Sequence, residues 1–229
     1  MDGALLIDKP LAWTSFDAVN YVRKIIAESE NKHPNQVKVG HCGTLDPLAT
    51  GLLILLIGNY TKRASELVKL DKTYYATMKL GETSTTGDAE GEKTVLSDNQ
   101  PSQSELTSTL KKFTGSILQK PPAFSALKIG GQRAYKLARQ GKAVELAARP
   151  VTIYKNELIS YNYPFVKLLN QVSSGTYIRS LVEDMGRQLE TGAYLVALRR
   201  TQISSFSIDK ALELENLNIE SIQNGLIGL

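Results

Sequence analysis

The chain has 229 residues, of which 42% are hydrophobic and 22% are charged, and its formal net charge is +4. This composition, with a length that suits a sizeable hydrophobic core, excludes the disordered and fibrous classes. A single cysteine excludes an internal disulfide, and no apolar run is long enough for a signal peptide or a membrane span, so we expect a cytoplasmic protein.

The first predicted elements are a short strand and an amphipathic helix. Residues 4–7 are apolar and predict a strand that ends near Lys9. Thr14 and Asp17 have the spacing of a capping box and indicate where the helix begins. Four apolar residues at helical spacing predict its buried face: Phe16, Val19, Val22 and Ile26.

A loop with an aspartate at its centre follows this helix. Asp46 precedes Pro47 and lies between Gly43 and Gly51, directly before an apolar run at residues 52–57. A residue before proline is held near extended geometry, and the run predicts a buried strand. The sequence thus indicates a carboxylate on a stiff loop that enters the core, although most Asp-Pro pairs only form turns.

The middle of the chain predicts a strand, a polar loop and a capped helix. Residues 73–80 alternate in polarity, which places Tyr74 on the apolar face of a strand. Residues 81–93 are polar and lack the ligand pattern of a calcium loop, so we expect an exposed loop. Ser102 and Glu105 form a second candidate capping box.

Positive charge is concentrated in residues 120–149. This segment holds seven lysine and arginine residues and one glutamate, a surplus of six that exceeds the surplus of the whole chain. Such a segment is typical of a surface that binds the phosphate backbone of a nucleic acid. A solvated helix face is an equally ordinary reason for it.

Two strands, a helix and a final strand complete the pattern. Strands are predicted at residues 149–153 and 165–172, and a third at residues 195–201. The helix between the second and third of these strands carries Arg179 in its first turn. This is a strand-to-helix junction, which often presents functional groups. The buried face of this helix is predicted from five apolar residues: Ile178, Leu181, Val182, Met185 and Leu189.

Four strings along this order resemble the motifs of the TruB family of tRNA pseudouridine synthases. Residues 40–51 read Gly-His-Cys-Gly-Thr-Leu-Asp-Pro-Leu-Ala-Thr-Gly, where the family usually reads G-H-T-G-x-L-D-P-x-A-x-G, so Cys42 replaces a threonine. The others are Asp-Lys-Thr-Tyr at residues 71–74, Gly-Thr-Tyr-Ile-Arg at 175–179 and Leu-Arg-Arg at 198–200. Each string alone is a weak signal, but four in the right order are specific.

The resemblance implies an α+β pseudouridine synthase fold, with a central mixed, mostly antiparallel sheet flanked by helices. The irregular alternation of the predicted elements suits this class. Residues 1–205 would form the catalytic domain, with residues 120–149 as a basic thumb insertion that closes over RNA. Residues 206–229 would be a short C-terminal tail, too short to hold the PUA-like domain of bacterial relatives.

The resemblance also implies an activity and its residues. A TruB enzyme isomerises the uridine at position 55, in the T loop of tRNA, and needs no cofactor or metal. Asp46, Tyr74 and Arg179 match the catalytic aspartate, the tyrosine that stacks on uracil and the arginine that pairs with the aspartate. The predicted RNA-binding residues are His41, Lys9, Tyr177, Leu198, Lys128, Arg133, Lys136 and Arg139. We expect a monomer that binds the T-arm stem-loop of tRNA and contacts no membrane.

Three other functions are weighed against this one. A non-catalytic tRNA-binding or folding chaperone would need the thumb but not the three catalytic matches together. A guide-RNA-directed pseudouridine synthase subunit would rely on a PUA domain to hold its guide. A hydrolase that uses Asp46 with His41 would need an oxyanion or nucleophile motif, and the sequence contains none. Whether Asp46 attacks C1′ of the ribose or removes the C2′ proton stays open.

Overall fold

The computed structural model describes residues 1–125, 127–141, 144 and 146–228. Its helices and strands follow the chain in this order: β1 (Gly3–Lys9), α1 (Ser15–Ser29), β2 (Val39–Cys42), β3 (Ala49–Ile57), α2 (Ala64–Leu67), β4 (Lys72–Leu80), β5 (Glu82–Ser84), β6 (Lys93–Val95), α3 (Gln103–Lys112), β7 (Gly115–Gln119), β8 (Lys128–Ile129), β9 (Gln132–Arg133), α4 (Ala134–Arg139), β10 (Arg149–Asn162), β11 (Phe165–Val172), α5 (Ile178–Gln188), β12 (Ala193–Ile203), β13 (Phe206–Ser207), β14 (Leu212–Glu213) and α6 (Ile219–Gly225). Short 3-10 helices occupy Pro34–Gln36, Gly58–Arg63 and Ile208–Lys210.

The chain divides into two compact units. Unit 1 comprises Met1–Tyr74 and Leu198–Leu229, and unit 2 comprises Tyr75–Ala197. Strands β4 and β12 contribute residues to both units. Within the described part of the chain, no helix is both long enough and apolar enough to cross a membrane.

Strand β3 lies at the centre of unit 1. One of its edges pairs antiparallel with β1, from Gly51 to Ile57. Its other edge pairs with β12 in parallel at its start and with β2 antiparallel at its end. Residues 51–57 are all buried, as the apolar run predicted. The parallel and antiparallel pairs together confirm the expected α+β class with a mixed sheet.

The last described residues pack within unit 1. Strand β14 pairs in parallel with β1. The backbones of Ala4 and Ile227 exchange two hydrogen bonds, at 3.0 and 2.9 Å, and Ile222 of α6 is fully buried. Strand β13 pairs antiparallel with β12, whereas β14 and Ile227 lie at the edge of β1 opposite β3, so the last described residues pack at two places in unit 1.

Unit 2 contains the strand order β4, β11, β10 and β7. Strand β10 pairs antiparallel with both β11 and β7. Strand β11 has the bounds expected from the sequence, and α5 buries all five residues of the predicted apolar face. Local periodicity therefore located these elements correctly.

Helix α1 differs from its prediction at one residue. The capping box of Thr14 and Asp17 is present, and Val19, Val22 and Ile26 are buried. Phe16, however, is 57% exposed, so its place in the buried face was wrong. The buried face is centred on Ser15, Val19 and Val22, which turns Phe16 outward beneath the guanidinium of Arg23, 5.8 Å from the ring centre.

Helix α3 provides a test of capping. Ser102 Oγ accepts a hydrogen bond from Glu105 N at 3.3 Å, and Glu105 Oε2 accepts one from Ser102 N at 2.7 Å. We expect Ser102→Ala to lower the free energy of unfolding by about 1 kcal/mol, measured by urea denaturation. The control is Thr107→Ala, an exposed hydroxyl in the same helix, which should change it by less than about 0.5 kcal/mol. Equal losses in both variants would exclude the cap as the cause.

Candidate active site

Asp46 lies in the loop between β2 and β3, which we call the Asp46 loop (residues 43–48). The loop is closed on itself by a hydrogen bond from Ala49 N to Asp46 O, at 3.0 Å. It is also joined to the turn before α1 by a bond from Ala12 N to Pro47 O, at 2.9 Å. The carboxylate is therefore attached to a backbone with few degrees of freedom.

Ser15 holds the residue that precedes Asp46. Its Oγ accepts a hydrogen bond from Leu45 N at 2.8 Å and donates one to Leu45 O at 3.0 Å. Ser15 and Leu45 are both buried, so neither backbone group could be satisfied by water. One hydroxyl at the start of α1 thus fixes the position of the Asp46 loop.

Arg200 of β12 holds the two ends of the same region. Its Nε donates to Leu52 O at 2.8 Å and its Nη2 donates to Gly43 O at 2.9 Å. Gly51 has a φ of +103°, and a Cβ there would lie 2.2 Å from the backbone oxygen of Arg200. The close approach of the two strands therefore requires glycine at this position.

Two buried lysines order the turns beside the loop. Lys9 Nζ donates to Pro10 O at 2.8 Å and to Trp13 O at 2.6 Å, while Lys72 Nζ donates to the carbonyls of Val68 and Leu70. Burial lowers the pKa of each to about 8. For Lys9 the Asp46 carboxylate opposes this shift, so the ammonium and the carboxylate attract each other. The role of Lys9 in RNA binding stays a prediction.

The other matched residues of unit 1 are mostly buried. Burial, and then Arg200, lowers the pKa of His41, which favours a neutral imidazole. Burial raises the pKa of the Cys42 thiol to about 11, against the opposing effect of Lys72. Tyr74 lies on the buried face of β4, as predicted, and Leu198 is half-buried and pairs with Ala49. Unit 1 therefore carries Asp46, Lys9, His41, Tyr74 and Leu198.

Arg179 lies in the first turn of α5, in unit 2, and is 7% exposed. Its Nη1 donates to Thr86 O at 3.2 Å and lies 3.5 Å from Asp88 Oδ2, and its Nη2 donates to Phe124 O at 2.8 Å. Asp88 is itself buried and accepts hydrogen bonds from Thr86 Oγ1 and Glu90 N. Burial of this ion pair is compensated because both the guanidinium and the carboxylate have additional hydrogen-bond partners.

This contact corrects one expectation. The segment 81–93 was expected to be an exposed loop, but Asp88 in it is 4% exposed and Gly87 packs against Glu183. The prediction was wrong because polar composition does not distinguish a solvated carboxylate from one that is buried by an arginine distant in sequence. The segment also contains β5 and the first residue of β6, and these two strands pair with each other.

The predicted thumb contains the β8–β9 hairpin and α4. Arg133 and Lys136 are exposed there. The side chains of Lys128 and Arg139 lie outside the part of the chain that the structure describes, as do residues 126, 142, 143 and 145. Tyr177 precedes α5, and the guanidinium of Arg149 lies 5.4 Å from the centre of its ring.

Three residues that hold the functional segments were not predicted: Ser15, Gln119 and Arg200. Gln119 binds both backbone groups of Tyr177, and all three side chains are about 1% exposed. Arg200 lies in the Leu-Arg-Arg string, which marked it as a motif position without a role, and no local pattern separates Ser15 and Gln119 from polar residues on a surface. Among the described residues, no three His, Cys, Asp or Glu side chains are grouped to hold a metal ion.

Two family models match the chain. The one described as TruB family pseudouridylate synthase, N-terminal domain, matches residues 31–178. The one described as tRNA pseudouridylate synthase B C-terminal domain matches residues 179–224. The chain belongs to the TruB family of pseudouridine synthases. The resemblance of its four motifs is thereby confirmed.

Curated relatives match over nearly the whole chain. The tRNA pseudouridine synthase B of Pseudomonas aeruginosa is 44% identical and covers 98% of this chain and 71% of its own length. The protein of the same name from Parabacteroides distasonis is 43% identical, with coverages of 93% and 91%. The one from Clostridium acetobutylicum is 44% identical, with coverages of 100% and 76%.

Solved structures share the fold. A chain in the crystal structure of a Cbf5-Nop10-Gar1 complex has a TM-score of 0.71 and 28% identity, and the match covers 94% of this chain. A chain in an H/ACA RNP bound to a substrate RNA has a TM-score of 0.69 at 24% identity, which shows likeness in fold. This chain spans about half the length of both, 53% and 56%.

The hydroxyl of Ser15 gives a test of how the Asp46 loop is held. If Asp46 is the catalytic residue that the family motif predicts, Ser15→Ala should lower the turnover of pseudouridine formation by about tenfold or more, because small misplacements of a reacting group are costly. RNA affinity should change by less than about twofold, since Ser15 is buried. The control is Ser29→Ala, an exposed serine at the other end of α1. A loss confined to RNA affinity would contradict this role.

The lowered pKa of the buried Lys72 predicts that the stability of the folded protein depends on pH. Between its pKa of about 8 in the folded protein and its ordinary value of 10.5, the unfolded chain retains a proton that the folded protein has released. The free energy of unfolding should therefore rise with pH across that window, relative to Lys72→Met, when measured by urea denaturation. Lys24→Met, on the exposed face of α1, is the control. A difference between wild type and Lys72→Met that does not vary with pH would contradict the shift.

Proposed function

We propose that the protein is a tRNA pseudouridine synthase that isomerises the uridine at position 55 in the T loop. The observation that carries this proposal is Asp46, which occupies the matching position of the family motif on a loop held by Ser15 and Arg200. The relatives named tRNA pseudouridine synthase B, at 43% and 44% identity, support tRNA as the substrate. The activity makes the protein an isomerase of tRNA processing.

The reaction exchanges one glycosidic bond for another. The bond between ribose C1′ and uracil N1 breaks, the base rotates, and C5 bonds to C1′. N1 gains a proton and C5 loses one, so atoms balance without a redox partner, nucleotide or metal. Asp46 is the carboxylate that acts at the ribose, by attack at C1′ or by removal of the C2′ proton.

The carboxylate has to stay ionised while the bound base excludes water. Burial alone would raise the pKa of an acid, and nearby cations oppose that rise. Lys9 is one cation that interacts with Asp46. We assign Arg179 as the second, since a guanidinium can hold a carboxylate through two parallel hydrogen bonds. Asp88 and the carbonyls of Thr86 and Phe124 would set the direction of its guanidinium.

Tyr74 would contact the base itself. Its ring lies on the buried face of β4, where an aromatic side chain can stack on uracil, and its hydroxyl would help to remove the C5 proton. Leu198 would line the uracil site. Both assignments rest on the resemblance of these residues to the family motifs.

RNA binding would combine base flipping with contacts to the phosphate backbone. The target base has to leave the stack, because C1′ and C5 cannot react within it. The thumb would bind the T-arm stem through shape and phosphates, with Lys128, Arg133, Lys136 and Arg139 as cations. His41 and Tyr177 would contact the nucleotides near the flipped base, and a monomer would suffice for all these contacts.

The experiment is release of tritium from unmodified tRNA that is labelled at uracil C5. We expect wild type to release tritium without any guide RNA, with pseudouridine mapping to the T loop, and Asp46→Asn to release none. Asp98→Asn, the same change at an exposed carboxylate, should match wild type. Tight tRNA binding without release by any variant would instead support a chaperone.

A second candidate is the guide-RNA-directed synthase, favoured by the fold shared with the Cbf5-Nop10-Gar1 complex. The same assay separates it, because a guide-directed enzyme releases tritium only when a guide is added. Release that maps outside the T loop would retain the chemistry and overturn the substrate position.

A further inference from the structure

Gln119, the last residue of β7, binds both backbone groups of a single residue. Its Nε2 donates to Tyr177 O at 3.1 Å, and its Oε1 accepts from Tyr177 N at 2.8 Å. Gln119 is 1% exposed, so water does not compete for these bonds. The two residues are 58 positions apart in the chain.

The bound residue is where α5 begins. Tyr177 is the N-cap of α5, yet its own side chain makes no capping hydrogen bond. The start of a helix leaves backbone N–H groups without partners, and a short polar side chain at the N-cap usually binds one of them. In α5 the N-cap backbone is held instead by a side chain from another element. The amide of Gln119 binds Tyr177, two residues before Arg179.

Gln119 also begins a segment that contacts the same turn of α5 twice more. We call residues 119–125 the strap. Lys120 O accepts a hydrogen bond from Ser180 Oγ at 2.9 Å, and Phe124 O accepts one from Arg179 Nη2 at 2.8 Å. The strap is thus bonded to residues 177, 179 and 180, and Gln119 is its only side chain in these bonds.

The direction of the Arg179 guanidinium depends on this arrangement. Its ion pair with Asp88 is 3.5 Å long, whereas its bond to the strap carbonyl of Phe124 is 2.8 Å. The Phe124 carbonyl can orient the Arg179 guanidinium only if the distance between the strap and α5 stays fixed. The two bonds of Gln119 set that spacing at the point where strap and helix start.

We propose that Gln119 is a positioning residue for Arg179: by holding both backbone groups of Tyr177, it seats the strap against the first turn of α5. This inference rests on the proposed function, because the role of Arg179 in the reaction belongs to it. Loss of the Gln119 amide lets the strap and the first turn separate, and Arg179 loses the Phe124 carbonyl.

A purely stabilising role would have a different signature. The two hydrogen bonds to buried backbone groups would stabilise the folded protein even if they did not position Arg179. That role predicts a lower melting temperature with normal chemistry in the folded fraction. A positioning role predicts slower chemistry that depends on the arginine.

The test uses the full chain and single-turnover tritium release from tRNA. We expect Gln119→Leu to lower the rate constant at saturating tRNA by about 10- to 100-fold, a condition under which a change in RNA affinity through Tyr177 does not affect the rate constant. The control is Asn170→Leu, which removes another fully buried amide from unit 2. Asn170→Leu should lower the melting temperature but keep the rate constant within about twofold of wild type.

A double-mutant cycle with Arg179→Lys decides whether the effect passes through the arginine. If it does, Gln119→Leu costs less than about threefold in the Arg179→Lys background, because the group it positions is already absent. If the loss of rate in the double variant equals the product of the losses in the two single variants, the proposal is overturned. Equal rate constants for Gln119→Leu and Asn170→Leu would also overturn it.

Gln119→Glu covers the case in which the leucine variant does not fold. A carboxylate still accepts from Tyr177 N but cannot donate to Tyr177 O, so we expect at least about tenfold slower release at saturating tRNA. Wild-type rates in Gln119→Glu would overturn the proposal. Absence of release from wild type, by contrast, would be a failure of the proposed function itself.

Discussion

In each unit, the segment next to a predicted catalytic residue depends on one kind of interaction: a buried polar side chain that binds both the N–H and the C=O of a single backbone residue. Ser15 does this for Leu45, next to Asp46, and Gln119 does it for Tyr177, two residues before Arg179. Loops and helix starts have backbone groups that no strand or helix satisfies, and leaving them unpaired in a buried place is costly. A side chain with one donor and one acceptor removes that cost and fixes the backbone at the same time.

Buried positive charge is the second constraint. Lys9, Lys72 and Arg200 in unit 1 and Arg179 in unit 2 are all buried. Each donates to backbone carbonyls, and this compensates for part of the hydration that is lost. The depressed pKa of both lysines, to about 8, shows that the compensation is incomplete. Buried cations with a shifted pKa are frequent at functional sites, and Lys9 lies where the proposed reaction would need a cation near Asp46.

The fold of unit 1 places these groups by a simple arrangement. The Asp46 loop leads directly into β3, the strand that pairs with β1, β2 and β12. Every residue that holds the loop comes from an element packed on this strand or from the helix that follows β1. The central strand thereby restricts the position of the Asp46 carboxylate, as the catalytic role proposed for it would require.

Local information in the sequence was sufficient for the elements with strong periodicity and for the family. Alternation located β4 and β11, helical spacing located α5, and the string around Asp46 identified the family. Only the tertiary structure turned Phe16 outward and buried Asp88 against Arg179. It alone revealed that Ser15, Gln119 and Arg200 hold the backbone near the predicted catalytic residues. The physical reason is sequence distance: these contacts join residues 30, 58 and 157 positions apart, and a polar side chain shows nothing locally of whether its partner is water or a distant peptide group.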